Sequence, residues 1–308
     1  MTDLQIGTQV GANILNASFN RRGELLWRAR QAKLDHVFSA DHISFFVGAG
    51  MDGLIQAATV MGAVPDLRYV VGIYLLALRH PVPVARQLAT LSEAGPGRLV
   101  LGVGVGGEDR HEIEICGVDP STRGRRTDAC LEALAGLLSG QPFSYESEFF
   151  SFEDALIKPK PTPRIPILIG GRSDAAVRRT AKFGDGWLGA WCSHKRFGEV
   201  VDQTAQLAAD AGRHVDQWTH GMQPWVGIGA TRDDARARLA KGMEDFYRIP
   251  FERFEKYSPY GTPDEVADFL APYVEKGCRV LNIMPVAESP EAGIDAVAEI
   301  AERLRAIV

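Results

Sequence analysis

The sequence predicts a single (β/α)8 TIM barrel with insertions in its βα loops, spanning 1–308. Three observations predict it. Short apolar runs alternate with helical patterns from one end of the chain to the other, with no linker, repeat or low-complexity tract between them. Several runs are apolar at nearly every position, as strands of a parallel sheet buried on both faces are. Two of them, Arg98–Gly107 and Pro166–Gly171, end in glycines and pass through a polar turn into a helical pattern.

The expected strands are Leu4–Val10, His36–Ala40, Arg68–Leu75, Arg98–Val103, Ile165–Gly170, Gly186–Ala190, Pro224–Gly229 and Arg279–Pro285. Among the helices, Thr262-Pro263-Asp264-Glu265 reads as a capping box with proline in the first turn. Val266, Phe269, Leu270, Tyr273 and Val274 then share one face, and Gly277 stops the helix. Thr231 opens another helix, and Leu131, Leu134, Ala135 and Leu138 mark a third that ends at Gly140. Three stretches interrupt the rhythm: Asp41–Asp52, Gln141–Arg164 and the aromatic-rich Arg248–Tyr260. Long loops on a barrel are lids or substrate walls. An open doubly wound sheet is the alternative fold. Against it, the glycine string Gly102–Gly107 is not followed about twenty residues on by the strand-borne acidic residue that a dinucleotide fingerprint carries.

Composition narrows the function classes. A chain of 308 residues with 45% hydrophobic content can bury a full core, and its net charge is −5. That balance opposes non-specific nucleic-acid binding and attraction to an anionic membrane surface. No uncharged apolar run reaches the roughly 18 residues of a membrane span. The amino-terminal residues lack the basic and apolar regions of a signal peptide. Cys116, Cys130, Cys192 and Cys278 form no CxxC pair and no zinc-like spacing, and read as reduced thiols of a cytoplasmic protein. The histidines at 111, 194, 214 and 220 show no metal spacing either, so no metal is expected.

The glycine-ended strands point to a phosphorylated ligand. Glycine lets a backbone approach a ligand, and a helix N-terminus offers free N–H groups to an anion. Ser173 is then either a phosphate donor or simply a helix cap, and Asp174 is an awkward neighbour for a dianion. At the end of the second strand, Asp41 and His42 pair a carboxylate with an imidazole that can move a proton at neutral pH.

In order and spacing, several segments resemble the luciferase-like monooxygenase superfamily, especially its branch dependent on the deazaflavin coenzyme F420. They are Ser39–His42, Leu78–Pro81, Gly95–Gly106, Glu112 to Val118 with Arg123-Gly124, Ile169–Gly171, Gly184–Trp187 and Gly261–Glu265. The resemblance covers nearly the whole chain. It implies that Asp41 and His42 are catalytic, with Asp41 also at the cofactor. It implies a bulge with a non-proline cis peptide at Gly72–Ile73 that props the ring from behind. Val105, Gly106 and Gly107 would run along the cofactor side chain. Gly171, Arg172, Ser173, Ala175 and Ala176 would cradle its phosphate together with Gly170, and Ala190 and Trp191 would wall the ring. Arg79 and His80 would be structural, and Glu112 and Arg123 an ion pair or cap network.

One departure stands out. Sugar-phosphate dehydrogenases of this family carry a glutamate proton donor where this chain has Gly107, with Glu108 one residue off. The implied activity is hydride transfer between F420 and a small organic substrate in a homodimer. The alternatives are an FMN-dependent monooxygenase and a non-catalytic cofactor-binding barrel. The Asp-His pair favours F420, because flavin-using relatives more often show Glu-His there. Phe45, Phe46 and Trp191 suit an apolar or aromatic-faced pocket.

Overall fold

The computed structural model describes residues 4–9, 19–46, 48–107 and 109–307. Eight parallel strands form the barrel: β1 (Gln5–Gln9), β2 (His36–Ser39), β3 (Arg68–Leu75), β4 (Leu99–Gly104), β5 (Ile167–Gly170), β6 (Gly186–Gly189), β7 (Gly221–Met222) and β8 (Val280–Val286). Each pairs with the next, and β1 pairs with β8, which closes the sheet. The expected strand at Leu4–Val10 runs one residue past the described ones.

The seventh strand corrects the sequence reading. The barrel strand is Gly221–Met222, not Pro224–Gly229. Trp225–Ile228 pairs with the outer end of β8, at Met284 to Val286, and continues the line of β7 beyond the barrel. Pro224 has no N–H to give, and the ladder is interrupted there.

Among the described residues, these helices accompany the strands: α1 (Phe19–Gln31), α2 (Gly53–Ala63), α3 (Pro81–Ala94), α4 (Arg110–Glu114), α5 (Arg123–Leu137), α6 (Asp174–Phe183), α7 (His194–Asp210), α8 (Arg232–Tyr247), α9 (Pro263–Glu275) and α10 (Pro290–Arg305). The Thr262 capping box forms in both directions, with Glu265 N donating to Thr262 Oγ1 at 3.3 Å and Thr262 N to Glu265 Oε2 at 2.8 Å. Gly277 (φ +97°) and Gly140 (φ +78°) take the left-handed turns that end α9 and the α5 region.

The large apolar core lies between the strands and the helices, and a smaller cluster fills the barrel interior. Phe38, Val70, Val100, Leu168, Leu188 and Met284 each come from a different strand and meet there, with Ile73 and Trp225 packed against them. The stretch 41–52, read as a loop, is a hairpin of His42–Phe45 with Ala49–Met51. A second hairpin, Phe143–Glu146 with Ser151–Ala155, occupies the insertion before β5. No described helix is long and apolar enough to cross a membrane.

Candidate active site

His42 begins the hairpin that leaves β2. Its Nδ1 faces Glu112 of α4, 3.1 Å from Oε2, and the Ile43 and Ser44 amides donate to Glu112 Oε1 at 2.7 and 3.0 Å. Asp109 caps α4 by accepting from the His111 and Glu112 amides, which aims Glu112 at the hairpin. Burial alone raises the Glu112 carboxyl, but the bonds from His42 and the two amides outweigh it and hold it below the usual range. Glu112 therefore carries a charge beside a ring that is still 22% exposed. A carboxylate on Nδ1 leaves Nε2 as the atom free to exchange a proton with a ligand.

This overturns the expected partnership of Asp41 with His42. Asp41 is buried and turned the other way. Arg79 Nη1 donates to its Oδ2 at 2.6 Å and Arg79 Nη2 to its Oδ1 at 2.8 Å; the Leu75 and Gly53 amides add bonds of 2.9 and 3.0 Å. Burial pushes the Asp41 carboxyl up while Arg79 and the amides pull against it. With its oxygens engaged in this way, Asp41 ties β2, β3 and α2 together. Arg79 and His80 are structural as expected: Arg79 also reaches Asp52, and His80 caps α3 by accepting from Val82 N. Glu112 does not pair with Arg123, whose guanidinium donates to Pro120 O.

At the end of β3 the register with β4 shifts between Val71 and Tyr74, and the Gly72–Ile73 bond is cis, as the resemblance implied. Asp41 N donates to Ile73 O at 3.2 Å, so the start of the His42 hairpin is held against this bulge. The glycines around it have a more specific reason than ligand approach. A Cβ on Gly104 would collide with the Ile73 side chain, and a Cβ on Gly170 would lie 2.9 Å from it. Gly102 and Gly104 on β4 and Gly170 on β5 thus make room for Ile73, which forms a floor at the C-terminal ends of these strands. Gly72 itself faces Gln223 and Asn282, not open space. Gly106 takes φ +70° with Leu75 and Ile113 beside it, while Gly107 has open space where a side chain would be. Val105 is half-buried before them, and Glu108 lies outside the described residues.

At the turn after β5, Gly171 takes φ +126°, and Trp187 Nε1 donates to its carbonyl at 2.7 Å. Ser173 caps α6, its Oγ accepting from Ala176 N at 3.3 Å. The Ala176 amide is therefore spoken for and its side chain buried, while Arg172, Ser173 and Ala175 are exposed. Asp174 is turned to solvent, 3.7 Å from Arg196. Beside the turn is a cavity of about 160 Å³ lined by Arg172, Trp191, Ser193 and Arg196 among others. A larger cleft of about 530 Å³, between Ser139–Gln141 and Lys158–Lys160, borders the insertion and contains none of the site residues.

Trp191, at φ +48°, stands next to Ala190 at the end of β6 and packs into a wider aromatic array than was expected. Its ring lies 5.0 Å from Tyr247 and 4.8 Å from Phe254, with Arg172 over it at 5.3 Å. The array continues through Trp225 and Phe246 to Phe45, which stacks on Phe246 at 5.0 Å and lies 4.3 Å from His42. Phe246 and Tyr247 are the last turn of α8, which packs on Trp225–Ile228. Sequence reading missed both, and it missed Glu112 as the partner of His42. The motif from Glu112 to Val118 was the one available signal for the latter.

A family model described as luciferase-like monooxygenase matches residues 3–258. An uncharacterised protein of Mycobacterium tuberculosis (strain ATCC 25618 / H37Rv) is 32% identical over 195 residues, 62% of this chain and 66% of that protein. The chain thus spans just under two thirds of that relative. An F420-dependent glucose-6-phosphate dehydrogenase of Nakamurella multipartita is 26% identical, with 92% of each chain covered. An FMNH(2)-dependent dimethylsulfone monooxygenase of Pseudomonas putida is 29% identical over 66% of this chain and 57% of its own. Among solved structures, an F420-dependent secondary alcohol dehydrogenase superposes with a TM-score of 0.85 at 18% identity, covering 97% of this chain and 98% of the other, and shares the fold. Matched by the family model over most of its length and closed as a parallel barrel, the chain belongs to the luciferase-like monooxygenase family, a family of oxidoreductases.

Proposed function

We propose that this chain is an F420-dependent oxidoreductase, carried on one barrel domain, that moves a hydride between the deazaflavin and an uncharged organic substrate. The observation that carries the reading is the His42–Glu112 pair beside the Ile73 floor. When bound, the deazaflavin supplies the carbon that gives or takes the hydride. The chain supplies the rest. Ile73 offers an apolar surface for a planar ring. Glu112 orients His42 so that Nε2 can hand over or receive the accompanying proton. Gly107 leaves space for a side chain, and the first turn of α6 with Arg172 favours a phosphate. Asp174, turned toward Arg196, does not oppose it.

The relatives named for F420 support this cofactor over FMN. Gly107 argues against a sugar phosphate as substrate, since it brings no side chain to the place of the family's glutamate. Phe45 and Phe246 around His42, with Phe46 against Phe45, suit an apolar or aromatic substrate. A homodimer in the cytoplasm fits the resemblance, and light scattering tests the oligomeric state. The FMN reading draws on the dimethylsulfone monooxygenase relative. Separate titrations of the purified protein with F420 and FMN decide between them. Tighter binding of F420, with turnover lost far more than affinity in His42→Ala, upholds the proposal. Micromolar binding of FMN with none of F420 overturns it.

A further inference from the structure

Beneath the Ile73 floor runs a line of polar groups that the proposed chemistry does not use. It starts at His36 on β2, whose Nε2 lies 2.7 Å from Asn282 Oδ1 on β8. Asn282 Nδ2 donates to Gln223 Oε1 at 3.0 Å, and Gln223 Nε2 donates to the Gly72 carbonyl on β3 at 2.9 Å. His36 and Asn282 are fully buried.

Two glycines make the line possible. Gly7 of β1 is in register with His36 on one side and Asn282 on the other. A side chain at Gly7 would collide with the His36 ring, so its absence lets that ring cross β1 to reach Asn282. A side chain at Gly72 would collide with Gln223 Oε1.

The direction of the line follows from its end. The Gly72 carbonyl only accepts, so Gln223 must present its NH2 group there and its oxygen to Asn282. Asn282 must then present its own NH2 to Gln223 and its oxygen to His36. His36 has to donate from Nε2, which makes Nδ1 the bare nitrogen of the neutral ring, and Nδ1 has no partner among the described residues. Each amide is thus locked in one orientation by the next.

We infer that Gln223, held by Asn282 and His36, is a positioning residue for the cofactor: it anchors the Gly72 carbonyl and so sets where Ile73 lies across Gly102, Gly104 and Gly170. The inference rests on the reading that a planar ring sits on Ile73. The other carbonyl of the bulge, at Ile73, is held separately by Asp41 N, so removing Gln223 frees one anchor and leaves the other.

The test uses Gln223→Glu and Gln223→Met in the full chain. Glutamate keeps the shape but sets an oxygen against the Gly72 oxygen; methionine keeps the volume and removes both bonds. Crystal structures should show the Ile73 side chain displaced, and affinity for the better-bound of F420 and FMN should fall roughly tenfold at a temperature where each variant is fully folded, the scale of one buried hydrogen bond. An Ile73 side chain that superimposes on the wild type in both variants, or affinities within about twofold of the wild type, would overturn the inference. Should the wild type bind neither cofactor, the ring reading fails on its own, and the position of Ile73 in the variant crystals still decides whether Gln223 sets the floor. Imidazole 15N spectra of the wild type provide a check that needs no variant. They should report His36 as the Nε2–H tautomer, and the Nδ1–H form would overturn the directed line.

Discussion

Glu112 Oε2 stands 3.1 Å from His42 Nδ1 although the two residues are 70 positions apart, and the same carboxylate accepts both amides that follow His42. One side chain therefore sets both the backbone of the hairpin and the hydrogen-bonded state of the ring it carries.

Glu112→Gln should lower turnover by roughly tenfold to a hundredfold, a share of a general acid–base contribution. Affinity for the cofactor should stay within about twofold of the wild type. Steady-state kinetics alongside a binding titration separates the two. Unchanged turnover would make Glu112 a cap of the hairpin and nothing more.

Asp41→Asn should act on stability first. It leaves the Arg79 guanidinium, only 15% exposed, facing a neutral amide in place of its carboxylate. Breaking such a pair costs about 3–5 kcal/mol. Urea unfolding of the variant measures it, and a loss below about 1 kcal/mol would restore Asp41 as a candidate for chemistry.

Ser173→Asp separates capping from phosphate binding. Aspartate caps a helix as well as serine does, so the thermal midpoint should hold. A charge at that position repels a phosphate, so cofactor affinity should fall by more than about tenfold. Ser173→Ala should instead lose about 1 kcal/mol of stability along with part of the affinity. If both variants bind as the wild type does, the phosphate lies elsewhere.

Stability should also decline on mild acidification. Burial pushes His36 and His220 down to about 4. Their folded values lie below the unfolded value of about 6.5, so between the two the unfolded chain binds more protons. The contribution is complete above about pH 6.5 and is lost as pH falls toward 4, on the order of 3 kcal/mol for each ring. Denaturant midpoints at pH 7.5 and 5.0 check the sign, with His36→Gln expected to flatten the slope.

The barrel was legible because buried parallel strands write themselves as apolar runs, and seven of the eight expected strands stand at their expected places within a residue or two. The seventh was misplaced because Gly221–Met222 is too short to show a run, whereas the apolar stretch after Pro224 is longer and lies outside the barrel. In the site, the turn at Ser173 could be read because its chemistry is local to a few adjacent residues, whereas the bulge at Gly72–Ile73 was implied by the resemblance alone and is not written in the residues themselves. The partner of His42 could not be found by adjacency: Asp41 is next to it in sequence but points into the core, as alternation along an extended chain dictates. Nor does the pattern of α8 say that its last turn, Phe246 and Tyr247, meets Phe45.

The hairpin that carries His42 is closed at its neck. Asp41 before it and Gly53 after it are joined through the Asp41 carboxylate, and Arg79 grips Asp41 and Asp52 together. The neck bonds join Asp41, Asp52, Gly53 and Arg79, so a substitution at the tip leaves them in place, whereas one at His42 removes the ring that meets Glu112. The excursion in that sense stands on two footings: the clamp holds its two ends, and Glu112 holds the ring that the proposed chemistry uses.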